Sequence, residues 1–154
     1  MVLRSFRGAV ILLAVLAPGC GGGNSRTPTT PTPRVASVAV GSLTASTERQ
    51  DNGNLSYIVA FQVRESAGVG TTISSVEITA SGGVTGTTTI PGNQLSQARI
   101  AGSSAAEYRI RLTTNTAAQA TQISVRVAHN DDNNNPGAAV ATASVAPAPP
   151  PPAA

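Results

Sequence analysis

The sequence predicts an all-β protein built on a single β-sandwich of about seven or eight antiparallel strands with Greek-key connections. Three observations lead to this prediction. Apolar residues alternate with polar ones in a period of two, as in strands that bury one face. Clusters of Gly, Asn and Pro separate the alternating segments, and no helical stretch of useful length remains between them. The Pro-rich segments that flank the domain on both sides are predicted to be disordered.

The strands are expected within residues 35–146, a usual length for one domain. Apolar side chains occupy alternate positions most clearly in four segments, and we expect each to bury one face: residues 55–64, 76–80, 107–112 and 123–127. Weaker strands are predicted at residues 35–45, 84–90, 95–100 and 138–145. Turns are predicted where Gly and Asn accept positive φ, at residues 51–53, 68–70, 81–83, 91–93, 102–104 and 133–137. Tyr57, Phe61 and Tyr108 fall on the apolar phase and are expected to fill the core.

The first nineteen residues have the composition of a secretory signal peptide. Arg4 and Arg7 form a positive region, an apolar run extends from Ala9 to Ala17, and small residues follow. An uncleaved transmembrane anchor is disfavoured, because about 20 apolar residues are needed to cross a bilayer. We therefore expect residues 1–19 to direct export and to be removed.

The run Leu16-Ala17-Pro18-Gly19-Cys20 resembles a bacterial lipobox. The resemblance implies that Cys20 receives a diacylglyceryl group and palmitate and becomes the mature N-terminus, so that the protein is a lipoprotein of the cell envelope. The residue after the cysteine is Gly21 rather than Asp, and in this the chain resembles outer-membrane lipoproteins of Gram-negative bacteria. In a bacterium with one membrane, the lipid would hold the chain on that membrane's outer face. The alternative is an ordinary signal peptide that is cut nearby and leaves Cys20 as a free thiol.

Charge and cysteine content restrict the partners and the chemistry. Without Arg4 and Arg7 the chain keeps eight arginines against seven acidic residues, and it has no lysine. The remaining arginines are scattered singly, whereas nucleic-acid binding needs clustered cations. No nucleic-acid partner is expected, and a single cysteine cannot form a disulfide within the chain.

Two segments of low complexity flank the predicted domain. Residues 20–34 are rich in Gly, Thr and Pro and predict an extended linker, which at about 3.1 Å per residue would span roughly 40 Å. Residues 147–154 contain mostly Pro and Ala, and successive prolines supply no hydrogen-bond donors for a strand or a helix. This tail is predicted to be disordered or to act as a Pro-rich ligand.

The end of the predicted domain resembles the final hairpin of immunoglobulin-like domains in bacterial surface proteins. The resemblance covers residues 121–132, the Asn-Pro-Gly turn that follows, and residues 140–145. Residues 55–78 are similar to the second and third strands of such domains. The chain has no tryptophan and no cysteine pair, so the resemblance favours a fibronectin-like or bacterial variant. It implies adhesion, spacing or contact with a protein or glycan at the cell envelope, and no active site.

The candidate functional residues are few. His129, the only histidine, is expected to be a hydrogen-bonded structural residue at a strand end, and no catalytic motif is present, so we predict a protein that is not an enzyme and needs no cofactor. The Asn/Asp loop of residues 130–135 offers oxygen ligands, and Asp131 and Asp132 are the candidate calcium ligands. An EF-hand would have Gly in place of Pro136 and Glu in place of Thr142, so an Asx-rich hairpin loop is the favoured interpretation. The alternative function is a calcium- or carbohydrate-binding accessory domain.

Overall fold

The computed structural model describes residues 32–148 and Pro150. The predicted signal peptide, Cys20 and most of the linker lie outside the described residues, as does most of the predicted tail. Residues 32–37 have no regular secondary structure, and eight strands follow: β1 (Val38–Arg49), β2 (Leu55–Glu65), β3 (Thr71–Gly82), β4 (Gly86–Pro91), β5 (Arg99–Ile100), β6 (Ala105–Thr113), β7 (Ala120–Asp131) and β8 (Pro136–Ser144).

The strands form two antiparallel sheets, which confirms the all-β prediction and is consistent with a sandwich. The first sheet has the order β1-β2-β6, and the second has the order β4-β3-β7-β8 with β5 paired to the start of β3. The chain changes sheet between β2 and β3, between β5 and β6, and again between β6 and β7. A single parallel bridge between Ala45 and Val145 brings β1 of the first sheet beside the end of β8 of the second.

The core consists of the apolar phase of each strand. In β2 every second residue from Leu55 to Val63 is at most 3% exposed, and the same phase of β7 is fully buried from Ile123 to Val127. The predicted core aromatics Tyr57, Phe61 and Tyr108 are all buried, and the rings of Phe61 and Tyr108 stack with their centroids 5.2 Å apart. The period-two pattern therefore identifies the inner faces of both sheets correctly.

Three predicted segments differ from the structure. β1 continues past residue 45 to Arg49, because its polar second half pairs with β2. Residues 95–98 are not a strand; a 3₁₀ turn at Gly92–Gln94 precedes them, and only Arg99–Ile100 pairs with β3. The loop between β7 and β8 consists of residues 132–135, whereas the predicted turn extends to residue 137 and the predicted Asn/Asp loop begins at residue 130. Pro136 and Gly137 belong to β8, whose first residue can be proline since it need not donate to the ladder, while Asn130 and Asp131 belong to β7.

Strand directions place the two ends of the domain at opposite ends of the sandwich. β1 and β8 both start beside the ends of β2 and β7, where Val38 is opposite Glu65 and Pro136 is opposite Asn130. The chain leaves the domain at the far end, where the backbone oxygen of Ala146 accepts hydrogen bonds from Thr47 and Gln119. Within the described part of the chain, no helix has the length and apolar character needed to span a membrane.

Candidate functional site

Three titratable side chains lie at one end of the sandwich, in positions that continue the buried phase of their strands. Glu65 follows Val63 in β2, and His129 and Asp131 follow Val127 in β7. All three are buried, with exposures of 0%, 7% and 4%. We call this region, defined by Glu65, His129 and Asp131, the carboxylate end.

The Glu65 carboxylate accepts four backbone hydrogen bonds. Its Oε1 accepts from the N–H groups of Ser37 and Ala67 at 3.1 and 2.7 Å, and its Oε2 accepts from those of Gly68 and Ser103 at 3.0 and 2.8 Å. Burial alone would raise the pKa of Glu65, but these donors favour the charged form and hold the pKa below its ordinary value. Glu65 therefore fixes three loop segments at once as a buried anion.

The Asp131 carboxylate organises the β7–β8 loop in a similar way. Oδ1 accepts from the backbone N–H groups of Asn133 and Asn135 at 2.9 and 2.8 Å. Oδ2 accepts from the backbone N–H of Ala36 at 3.2 Å and from the side-chain amide of Asn135 at 3.0 Å. Donation from Asn135 contributes most to lowering the pKa of Asp131 to about 2, against the opposing effect of burial. These contacts are those of an Asx-rich loop.

Asp132, the second candidate calcium ligand, points away from Asp131 and forms an ion pair with Arg99. The guanidinium donates to both carboxylate oxygens, at 2.6 and 2.9 Å, and the hydrogen bond to Arg99 lowers the pKa of Asp132. Gly70 lies underneath, where a Cβ atom would come within 2.4 Å of the Asp132 carboxylate. The ion pair between Arg99 and Asp132 therefore covers Gly70, and any larger residue at position 70 would displace the ion pair.

His129 is held by Thr71 of the neighbouring strand. The Thr71 hydroxyl donates its proton to the backbone oxygen of Asn130 at 3.0 Å and lies 3.1 Å from Nδ1 of His129. Because that single proton is used, Nδ1 carries the hydrogen that the Thr71 oxygen accepts. Burial lowers the pKa of His129 and keeps the ring neutral. The ring lies over Gly137 of β8, where a Cβ atom would approach it to 2.6 Å.

The chain segment before β1 is tied to the carboxylate end, and we call residues 34–37 the strap. Successive strap residues donate to the two buried carboxylates, Ala36 to Asp131 and Ser37 to Glu65. The backbone oxygen of Arg34 also accepts from the side chain of Asn133 at 2.8 Å. Since Glu65 and Asp131 belong to different sheets, the strap joins the sheets at this end.

The carboxylate end is thus occupied by its own contacts. Among residues 32–148 and Pro150, no group of three or more His, Cys, Asp and Glu side chains is arranged to hold a metal ion. A calcium ion at Asp131 would have to displace backbone donors, and one at Asp132 would have to displace Arg99. Calcium needs six to eight oxygen ligands, and the arrangement does not offer them without rebuilding the loop.

A cleft opens on the side of the sandwich where β4 and β6 are the edge strands, and we call it the β4–β6 cleft. One part of the cleft is a cavity of about 240 Å³, lined by Tyr57, Ile78 and Leu112 together with several threonines. A second hollow lies along the same side, next to the 3₁₀ turn, and is lined by Ile90, Gln94, Leu95, Ser96, Tyr108, Arg109 and Ile110. The apolar and polar side chains that line the cleft would suit an apolar group that carries polar substituents.

The sequence interpretation missed Glu65 as a site residue, although a signal was present. Glu65 lies two residues after Val63 and Asp131 lies four residues after Val127, so each is in phase with the buried residues of its strand. An acidic residue in the apolar phase needs several donors to offset its desolvation. The β4–β6 cleft left no comparable signal, because it depends on which strands end up at the edges.

The comparisons with known proteins concern the fold. No protein-family model matches this chain, and neither does any curated protein. Among solved structures, the X-ray structure of Northeast Structural Genomics Consortium target SoR45 is similar to it, with a TM-score of 0.52 and 12% sequence identity. The match covers 67% of this chain and 80% of that chain. At this identity the likeness shows the fold alone.

Proposed function

We propose that the protein is a membrane-anchored lipoprotein of the bacterial cell envelope, whose folded part is a non-catalytic binding module. One observation carries the non-catalytic assignment. The buried groups that could serve in acid–base chemistry, Glu65, His129 and Asp131, are all engaged in holding loops and strands together. A general acid or base must reach a substrate proton, and these groups are turned inward.

The module is proposed to be of the immunoglobulin-like, fibronectin-like type. With β1, β2, β3, β4, β6, β7 and β8 taken as strands A, B, C, C′, E, F and G, the observed sheets become ABE and C′CFG. This order supports the assignment, because domains of this class pack sheets so composed. The parallel bridge between Ala45 and Val145 gives further support, since it places the first and last strands side by side.

The lipid anchor is proposed on Cys20, and its support is the lipobox-like sequence described above. The geometry of the domain is compatible with attachment at its N-terminal end. The strap is fixed at the carboxylate end, whereas the β4–β6 cavity and Ala146 are found toward the other end of the strands. A protein or glycan partner would therefore have access to the cleft.

Intact mass of the membrane-extracted protein tests the anchor. We expect the mass of diacylglyceryl and acyl groups on a chain that begins at Cys20, incorporation of labelled palmitate, and loss of both in Cys20→Ala. The variant Ala17→Leu, which restores the residue usual in lipoboxes, is the matched control and should be lipidated at least as completely. The lipid anchor would be contradicted if the parent protein carried no palmitate and if Cys20→Ala left the membrane-bound fraction of the protein unchanged.

Calcium titration distinguishes the proposed module from a calcium-binding accessory domain. We expect no rise in melting temperature at millimolar calcium, because ligands that bind the folded state stabilise it and Asp131 already uses both oxygens. A rise that disappears in Asp132→Asn would favour the alternative. Turnover in a broad hydrolase screen that is abolished by His129→Ala would contradict the non-catalytic assignment.

A further inference from the structure

The outer edge of β4 differs from the other sheet edges of the domain. β4 pairs with β3 alone, and in the described chain no strand lies on its other side. No charged residue occurs between Glu77 and Arg99. The free edge of β6, by contrast, carries three exposed charges, on Glu107, Arg109 and Arg111, and β8 is covered by β1 at its end.

Free edges are usually protected from pairing by charges, bulges or prolines within the strand. β4 has a regular register with β3 from Gly86 to Pro91, and its only proline is the last residue. Nothing along residues 86–90 therefore opposes the addition of another strand. We infer that β4 is a homotypic docking edge, where a second copy of this chain pairs antiparallel with it about Thr88.

The side chains that point toward the core support this register. A two-fold axis at Thr88 places Gly86 of each copy opposite Ile90 of the other. Gly86 lines the 240 Å³ cavity, and the position of a Cβ atom on it has no atom within 4 Å. Ile90 is only half-buried in one copy. The empty space beside Gly86 and the incompletely covered Ile90 are thus complementary, and each occurs twice in a symmetric pair.

The outward-facing side chains are compatible with the same register. Thr87 lies opposite Thr89 of the second copy, so hydroxyl groups meet and no like charges are brought together. Within one copy, the Thr87 hydroxyl already bonds to that of Thr79 on β3, at 3.1 Å. Pairing would continue this row of hydroxyls across the axis. With only six residues per strand, the contact falls below the size of most stable interfaces, so the association should be weak and dependent on concentration.

Disulfide cross-linking of the full chain tests the proposal, with Cys20→Ala in every variant so that the result is independent of lipidation. Residues directly opposite on antiparallel strands have Cα atoms about 4.5–5.5 Å apart, within the range that a disulfide requires. Thr88→Cys should give about tenfold more covalent dimer under mild oxidation than Thr142→Cys, which places the thiol at another exposed threonine, on β8. Equal yields, or more dimer from Thr142→Cys, would overturn the proposal.

Three further variants test the register and the pairing edge by measurements that include the stability of the single copy. A valine at position 86 has room in a single copy, but it fills the space assigned to Ile90 of the second copy. Adding Gly86→Val to Thr88→Cys should therefore reduce the yield of covalent dimer several-fold without lowering the melting temperature. Thr88→Lys should lower the weight-average mass in sedimentation equilibrium at high concentration, while Thr142→Lys should leave it unchanged. A Thr88→Lys protein that sediments like the parent would refute pairing through β4.

Discussion

Replacing Glu65 with glutamine should destabilise the domain more than any surface charge substitution. The change keeps the shape of the side chain but replaces one acceptor oxygen with an NH₂ group. If the amide oxygen keeps the contacts of Oε1 to Ser37 and Ala67, the NH₂ group faces the backbone N–H groups of Gly68 and Ser103, which are 3.0 and 2.8 Å from Oε2 in the native protein. Two donors then lose their acceptor.

The expected cost follows from these two contacts. A buried donor without an acceptor costs about 1–3 kcal/mol, and the remaining two hydrogen bonds lose the contribution of the negative charge. We therefore expect the free energy of unfolding to fall by about 3–5 kcal/mol. This is a large part of the roughly 5–15 kcal/mol that stabilises a typical domain.

Urea denaturation followed by circular dichroism measures this loss. The unfolding midpoint of Glu65→Gln should fall by about 2 M. Glu107→Gln is the matched control, because Glu107 is exposed on β6, and it should change stability by less than about 0.5 kcal/mol. Equal midpoints for the two variants would refute the role assigned to the four backbone contacts.

Three further predictions concern the same end of the molecule and the core. Because the pKa of Asp131 is about 2 when folded, against 3.8 as its ordinary value, the unfolded chain binds that proton more readily, and stability in thermal melts should fall between about pH 4 and pH 2. The pKa of His129 is also lowered from its ordinary 6.5, so a separate loss of stability should begin as the pH falls below about 6.5. Gly137→Ala brings a Cβ atom against the His129 ring and should cost about 1–3 kcal/mol, and adding His129→Ala should remove most of this clash in a double-mutant cycle. Ile123→Ala empties a fully buried position and should cost about 2–5 kcal/mol in urea unfolding, whereas Ile123→Val should cost much less.

The sequence predicted the long inner strands well, because their signal is local. In β2 from Leu55 to Val63 and in β7 from Ile123 to Val127 every second residue is apolar, and the buried faces follow directly from that period. The segment at residues 95–100 was predicted poorly because pairing is not local. Only Arg99 and Ile100 lie beside Thr72 and Thr71, so the rest of the segment has no strand to pair with.

The site was predicted less well than the fold, for a related physical reason. Asp131 and Asp132 are adjacent and chemically identical, yet one is surrounded by backbone donors and the other pairs with Arg99, which is 33 residues away. The favoured prediction was an Asx-rich loop, with a shared calcium ion as the alternative, but the sequence did not separate the roles of the two carboxylates. Asp131 is the buried last residue of β7, whereas Asp132 begins the loop and pairs with Arg99. Glu65 depends likewise on donors from Ser37 and Ser103, which only the folded chain brings together.

The side-by-side arrangement of β1 and β8 has a mechanical consequence. The strap holds the chain at one end of β1, and the chain leaves at the opposite end of β8, next to Ala45. Tension between the two termini would therefore pull β1 and β8 in opposite directions along their length. The contact between them, in which the Ala146 N–H donates to Ala45 and the Thr47 hydroxyl donates to Ala146, would be loaded in shear.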